Sequence, residues 1–448
     1  LWLQNLLHQE LRRNIISSSA MVLLLAPLSL IALIGKTFAP RATVQLINWL
    51  RDSFDLKVNT EAMITTSEPE QEATIEMPRL GFTDEEQADR AENFLRTIGL
   101  VDGFSRLPVM MGHGSGSQNN PHLTAYDCGA CSGRHGGPNA RVFAAIANRP
   151  EIRALLKQRN IVIPDDTWFL GAEHNTCDEV ISWYDTDGIP ENLHKAFAAL
   201  QQDMWVAIRG SAHERCRRLA SAPKNPGHEQ ALRHVVGRSM DFSQARPELG
   251  HATNATAFIG RRSLSRGAFF DRRAFLISYD PTLDADGLIL EKILLAAGPV
   301  GAGINLEYYF STIDNDAYGC GSKITHNIAG MFGVMEGASS DLRTGLPKQM
   351  IEIHEAMRLL VVVEAKTEVL TQIYGRQPEL QELIGNGWLL LAAIDPDNGD
   401  IKLFEPGEGF VSWDKALTEL PVVDKSSDWY QGHEGPLPFA LIKQVQHG

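Results

Sequence analysis

The chain has 448 residues, 44% of them apolar and 21% charged, with a formal net charge of -14. Those totals exclude a disordered chain. They also weigh against nucleic acid as the main partner, because phosphate binding needs a basic surface, and basic residues cluster only locally, as from Arg261-Arg262 to Arg273.

The first residues read as helical, with Leu3, Leu6, Leu7 and Leu11 spaced for one face. The start at Leu1 carries no secretory signature and reads as processing or as a fragment of something longer. An apolar run from Ala20 to Gly35 counts 16 residues and contains Pro27 and Ser29. A bilayer crossing needs roughly 20 apolar residues, so the run is expected to be a buried helix, or one that docks on a membrane partner, and no transmembrane span is expected. Val44 to Leu50 continues the helical region, and from about Val58 to Pro78 the composition turns acidic and polar, as in a linker. Thr83 with Glu86 three residues later forms a capping-box signature. The helix that follows carries Ala88, Ala91, Phe94, Leu95 and Ile98 on one face and stops at Gly99.

Phe104 to Met111 suits a buried strand that ends at Gly112-His113. A polar Gly/Ser/Asn segment follows, then Asp127-Cys128-Gly-Ala-Cys131, then a helix from Pro138 to Asn148 with proline at its first position. A further helix is expected over Ile152 to Gln158. Thr167 to His174 reads as a second strand with its polar residues at the end, and two strands that both deliver polar groups at their ends fit a parallel sheet with one functional edge. Beyond it, Glu191 to Leu219 reads as helix, Arg273 to Asp280 as strand and Leu288 to Ala297 as helix. Strand-like runs recur at Leu359 to Val363 and Trp388 to Ile394, the latter ending in the turn Asp395-Pro-Asp-Asn-Gly.

His113, His122, Asp127, Cys128, Cys131 and His135 are the densest group of metal-capable side chains in the chain. Zinc takes Cys, His and carboxylate ligands, and a catalytic site keeps one position open. Cys128-x-x-Cys131 is half of a structural knuckle with no second Cys-x-x-Cys to complete it; the plain alternative is two small buried residues at a tight turn. Gly136, Gly137 and Asn139 open a helix whose free N–H groups and positive dipole end suit a small anion. His174, near Cys177 and Asp178, is a further ligand or proton-shuttle candidate. The Gly-rich loops at Gly114 and Gly319 lack a P-loop Lys-Ser/Thr or a dinucleotide fingerprint, so nucleotide binding is not expected. Five cysteines, all at or after Cys128, make no disulfide framework in so long a chain, and their odd number fits a reducing, cytoplasmic setting.

Gly112-His113-Gly-Ser, Asn119-Asn-Pro, Asp127-Cys128-Gly-Ala-Cys-Ser-Gly and Gly136-Gly-Pro-Asn-Ala-Arg141 together resemble the DabA family of energy-coupled inorganic carbon transporter subunits. His174-Asn-Thr, Arg246-Pro-Glu-Leu-Gly, Ile304-Asn-Leu-Glu-Tyr-Tyr-Phe-Ser and Gly319-Cys-Gly-Ser-Lys-Ile-Thr-His-Asn agree with it. The resemblance implies a zinc site like that of β-carbonic anhydrases, with His113 and Cys128 as Zn2+ ligands and Asp127, Cys131 and His174 no closer than its surroundings. The family's other two ligands belong to an upstream Cys-x-Asp motif that does not occur in these residues, so the chain is expected to be the C-terminal part of a family protein.

The same resemblance implies an α/β fold with a β-carbonic-anhydrase-like mixed or parallel sheet flanked by helices, plus further family-specific α/β elements. It divides the chain into a helical segment and acidic linker (1–79), a zinc-site region (80–190) and a family-specific region (191–448). It implies CO2 hydration to bicarbonate, coupled to a DabB-like membrane subunit related to the ion-translocating subunits of complex I, with the protein peripheral on the cytoplasmic face of the bacterial inner membrane. The competing expectation is a non-catalytic scaffold holding a structural Cys/His zinc site.

Overall fold

The computed structural model describes residues 14–443 except 55–59, 61, 72–73, 75, 117–134, 242, 245–246, 249–253, 323–344, 352–353, 356 and 416–417. It is a mixed α/β structure in which helices flank sheets of three, six and three strands.

Helix α1 (Ile15–Phe38) starts where the Asn14 side chain accepts from the Ile16 N–H at 3.0 Å. It takes in Ile15, Ile16 and the three serines before Ala20, so its 24 residues exceed the apolar run itself. At 1.5 Å per residue it is about 36 Å long, and no Asp, Glu, Lys or Arg occurs from Ile15 to Gly35. Of the two expectations for this run, the buried helix is corrected, since none of the residues of α1 is buried, and so is the length estimate, since α1 is long and apolar enough to cross a membrane; docking on a membrane partner is untouched by either observation. Helix α2 (Pro40–Phe54) packs beside α1 and buries Val44 while leaving Leu46, Trp49 and Phe54 exposed.

Helix α3 (Asp84–Thr97) carries the capping box, with the Glu86 N–H donating to Thr83 and the Glu86 carboxylate accepting from the Thr83 N–H. It ends before Gly99, whose φ of +71° suits glycine. Its Ala88, Ala91 and Leu95 are fully buried against α4 (Gly137–Asn148) and α5 (Pro150–Gln158), in a core shared with Ile152, Leu156, Ile161 and Phe169. This core backs the first sheet. There β1 (Val109–Gly114) pairs in parallel with β2 (Leu170–Asn175), and β2 pairs antiparallel with β3 (Val180–Trp183). β1 starts later than the apolar pattern predicts because Pro108, immediately before it, has no N–H for a ladder. It also runs on through Gly112 and His113.

Helices α6 (His194–Cys216) and α7 (His228–Ser239) pack on each other and lead into the second sheet. Its strands are β4 (Thr256–Gly260), β6 (Ala274–Ser278), β7 (Leu359–Glu364), β8 (Leu389–Ile394), β9 (Ile401–Glu405) and β10 (Gly409–Ser412), in the order β10-β9-β8-β7-β4-β6. The four from β8 to β6 run parallel, and β9 and β10 add an antiparallel edge. Helix α8 (Leu288–Ile313) covers this sheet. It continues well past Ala297, where glycines and a proline predict its end, and the difference is a packing effect. A Cβ at Gly301 would lie 2.7 Å from the Leu359 side chain, so the small residues let α8 sit close on β7, and that burial outweighs their poor helix propensity. The third sheet joins β11 (Val422–Val423), β12 (Ala440–Ile442) and β5 (Ala268–Phe269).

Candidate functional site

β1 and β2 are parallel neighbours, and His113 lies directly beside His174 in their register. Both therefore emerge at the C-terminal edge of the sheet, where open α/β folds place their ligands. Glycines seat α4 against this edge. A Cβ at Gly112 would lie 2.4 Å from the Gly136 carbonyl carbon, and one at Gly171 would lie 2.8 Å from Arg141 Cα. The Gly136 N–H donates to the His113 carbonyl at 2.8 Å, which fixes the helix start to the strand end.

Two carboxylates organise the polar groups around the histidines. Glu248 accepts from Ser115 Oγ at 2.6 Å and from the Thr176 hydroxyl. Its Oε2 lies 3.5 Å from His113 Nε2, which is 3.1 Å from Thr176 Oγ1. Glu179 faces His174 Nε2 at 2.7 Å and forms an ion pair with Arg215 on α6, both side chains being almost wholly buried. Arg215 also donates to the carbonyls of Thr176 at 3.0 Å and Pro247 at 3.3 Å. Glu179 adopts φ +64°, a left-handed conformation that a non-glycine residue holds only where its surroundings enforce it. Burial pulls the Arg215 guanidinium down to about 9. Burial first, then the charges of Arg215 and His113, lower His174 from its ordinary value, which favours the neutral imidazole at neutral pH.

Glu173, the residue before His174 on β2, accepts from the Gly137 N–H and faces His135 Nδ1, each at 3.0 Å, with the Tyr184 hydroxyl at 3.4 Å. The helix start marked by Gly136 and Gly137 thus faces an anion, and it is the chain's own carboxylate, in the favourable place for negative charge. Asn139 is exposed in the first turn of α4. Cys128, Asp127, Cys131 and His122 lie outside the described residues. Among the described residues no three His, Cys, Asp or Glu side chains gather as a metal site.

Sequence reasoning marked His113 and His174 and missed Ser115, Thr176, Glu179, Arg215 and Glu248. A cavity of about 550 Å³ lies elsewhere, lined by His213, Arg217, Arg218 and Tyr430 among others. Arg217 and Arg218 there are paired with the buried Asp271, and none of the residues marked as ligands lines it, so size alone does not make it the functional site.

Comparison with known proteins places this edge in a family. The family model described as "Probable inorganic carbon transporter subunit DabA" matches residues 3–389. The chain belongs to the DabA family. It is 59% identical over 435 residues to the probable inorganic carbon transporter subunit DabA of Methylococcus capsulatus, covering 97% of this chain and 40% of that protein. The corresponding figures for the Dechloromonas aromatica subunit are 58%, 97% and 43%, and for the Nitrosococcus oceani subunit 52%, 99% and 41%. The chain therefore spans about two fifths of the length of these relatives. No solved structure matches it.

Proposed function

We propose that this chain is part of a zinc-dependent subunit that hydrates CO2 to bicarbonate as part of inorganic carbon uptake. The observation that carries the reading is His113, the family-motif histidine, delivered at the C-terminal edge of a parallel strand pair and backed by a carboxylate and two hydroxyls. Metal-bound histidines characteristically have this kind of outer support. The donors available to a metal here, His113 among the described residues and Cys128 from the sequence, are ligand types that suit zinc. Zinc, when bound, supplies Lewis-acid activation of water near neutral pH. The chain's own residues hold His113 on a rigid strand, set His174 beside it against Glu179 and draw the edge together through Arg215.

Relatives named as transporter subunits imply membrane association, and the exposed apolar helix α1 supports a role in it. The partner in this reading is a DabB-like ion-translocating membrane subunit, with the protein on the cytoplasmic face. Two measurements test the proposal on the full-length protein. Carbonic anhydrase activity together with its DabB-like partner is expected, and is expected to be abolished in Cys128→Ser. Wild-type activity in that variant would remove Cys128 from the site, and zinc binding with no hydration under any condition would favour the scaffold reading. Deleting Ala20 to Gly35 is expected to release the protein from partner-containing membranes; unchanged recovery with them would exclude α1 from the attachment.

A further inference from the structure

The stretch Arg246-Pro-Glu-Leu-Gly is part of the family resemblance, yet neither the metal-ligand reading nor the family description gives it a task. The structure brings its Glu248 to the end of β1, 133 positions from Ser115 in sequence. The Glu248 side chain is only 10% exposed, and it meets hydroxyls from both strand ends. A carboxylate brought so far and buried so deeply needs compensating donors, and here Ser115 and Thr176 supply them.

We propose that Glu248 is a positioning residue for His113, acting through Thr176; this rests on the reading of His113 as a metal ligand. A threonine hydroxyl has one proton to donate. Given to the Glu248 carboxylate, its strongest acceptor, it leaves Thr176 Oγ1 to accept from His113 Nε2–H, 3.1 Å away. The chain His113–Thr176–Glu248 thereby fixes the proton on Nε2 and holds the ring edge, so that Nδ1 is the nitrogen presented for ligation. Arg215 sets the geometry from behind, because it binds the carbonyl of Thr176 and that of Pro247, the residue before Glu248. Ser115 donates a second hydrogen bond to the carboxylate and keeps it in place.

The test uses the full-length protein in wild-type form and as Thr176→Val, Glu248→Gln, Glu248→Asp and His113→Ala. Zinc affinity is read by competition with a chromophoric chelator, and ligand geometry by the visible spectrum of the Co2+-substituted protein. Thr176→Val is close to isosteric and guards against loss of folding, which circular dichroism checks for every variant. Thr176→Val and Glu248→Gln are expected to weaken zinc binding about 10- to 100-fold and to shift the Co2+ spectrum. Glu248→Asp, which keeps the charge, is expected to lose less than Glu248→Gln. Affinities and spectra of folded Thr176→Val and Glu248→Gln that match wild type, while His113→Ala loses the metal, would overturn the positioning role alone. Full metal retention in His113→Ala, or no zinc binding by wild type, would overturn the ligand reading and this inference with it.

Discussion

Replacing Gly112 by alanine tests whether the close seating of α4 on β1 builds the site. A Cβ at this position would lie 2.4 Å from Gly136 C, 2.5 Å from Gly137 N and 2.6 Å from Gly136 O, all backbone atoms that no rotamer change can move. Ordinary van der Waals contact begins near 3.4 Å, so the helix start must withdraw by about 1 Å. Overpacking of this kind costs about 1–3 kcal/mol, and withdrawal stretches the hydrogen bond from Gly136 N–H to the His113 carbonyl, worth about 1 kcal/mol. Gly112→Ala is therefore expected to lower unfolding free energy by about 2–4 kcal/mol by urea denaturation. It is also expected to weaken zinc binding, since His113 is the adjoining residue. Stability within about 0.5 kcal/mol of wild type, the range of a neutral surface change, would refute the close approach.

Three further outcomes follow from separate features. Arg215→Met removes the cation paired with the buried Glu179 carboxylate and leaves it only His174; it is expected to cost about 3–5 kcal/mol, measured by chemical denaturation, and a loss below about 1 kcal/mol would mean the pair is not buried as described. Gly210, within α6, has open space where a Cβ would stand, so Gly210→Ala is expected to stabilise by about 0.5–1 kcal/mol, and a lowered melting temperature would contradict this. Hydrogen bonds from Arg376 and Gln377 hold Glu291 down to about 2, against an ordinary 4.5. A depressed carboxylate stabilises the fold fully above the unfolded value and loses that contribution as pH falls toward the folded one. Glu291→Gln should thus flatten the fall in melting temperature between about pH 4.5 and 2, and parallel curves for the two proteins would show that Glu291 contributes nothing.

Local chemistry was readable in the sequence where it decides the outcome locally. Thr83 and Glu86 cap a helix because both partners lie within one turn, and the polar ends of β1 and β2 were visible as strands closing on histidines. Where distant packing decides, the local signals misled. The Gly298-Pro-Val-Gly pattern ends a helix by propensity, yet the fit of Gly301 against Leu359 carries α8 onward. The apolar run near the N-terminus is shorter than the helix that contains it, because the Asn14 cap sets an earlier start and admits the serines. Arg215 sits in a long helix with no local signal of a role, and Glu248 is visible only as part of the motif Arg246-Pro-Glu-Leu-Gly. Their roles arise only when strands β1 and β2 bring Ser115, Thr176 and Glu179 to one edge, and no periodicity encodes that meeting. The overall α/β class was legible, while the division into three mixed sheets, with β7 between β8 and β4, depends on pairings between distant segments.

The most direct test of the account is the zinc content of the full-length protein by elemental mass spectrometry, for wild type beside His113→Ala. The account predicts bound zinc in the wild type and its loss from the folded variant. Equal zinc in the two proteins would contradict the assignment of His113 as a ligand.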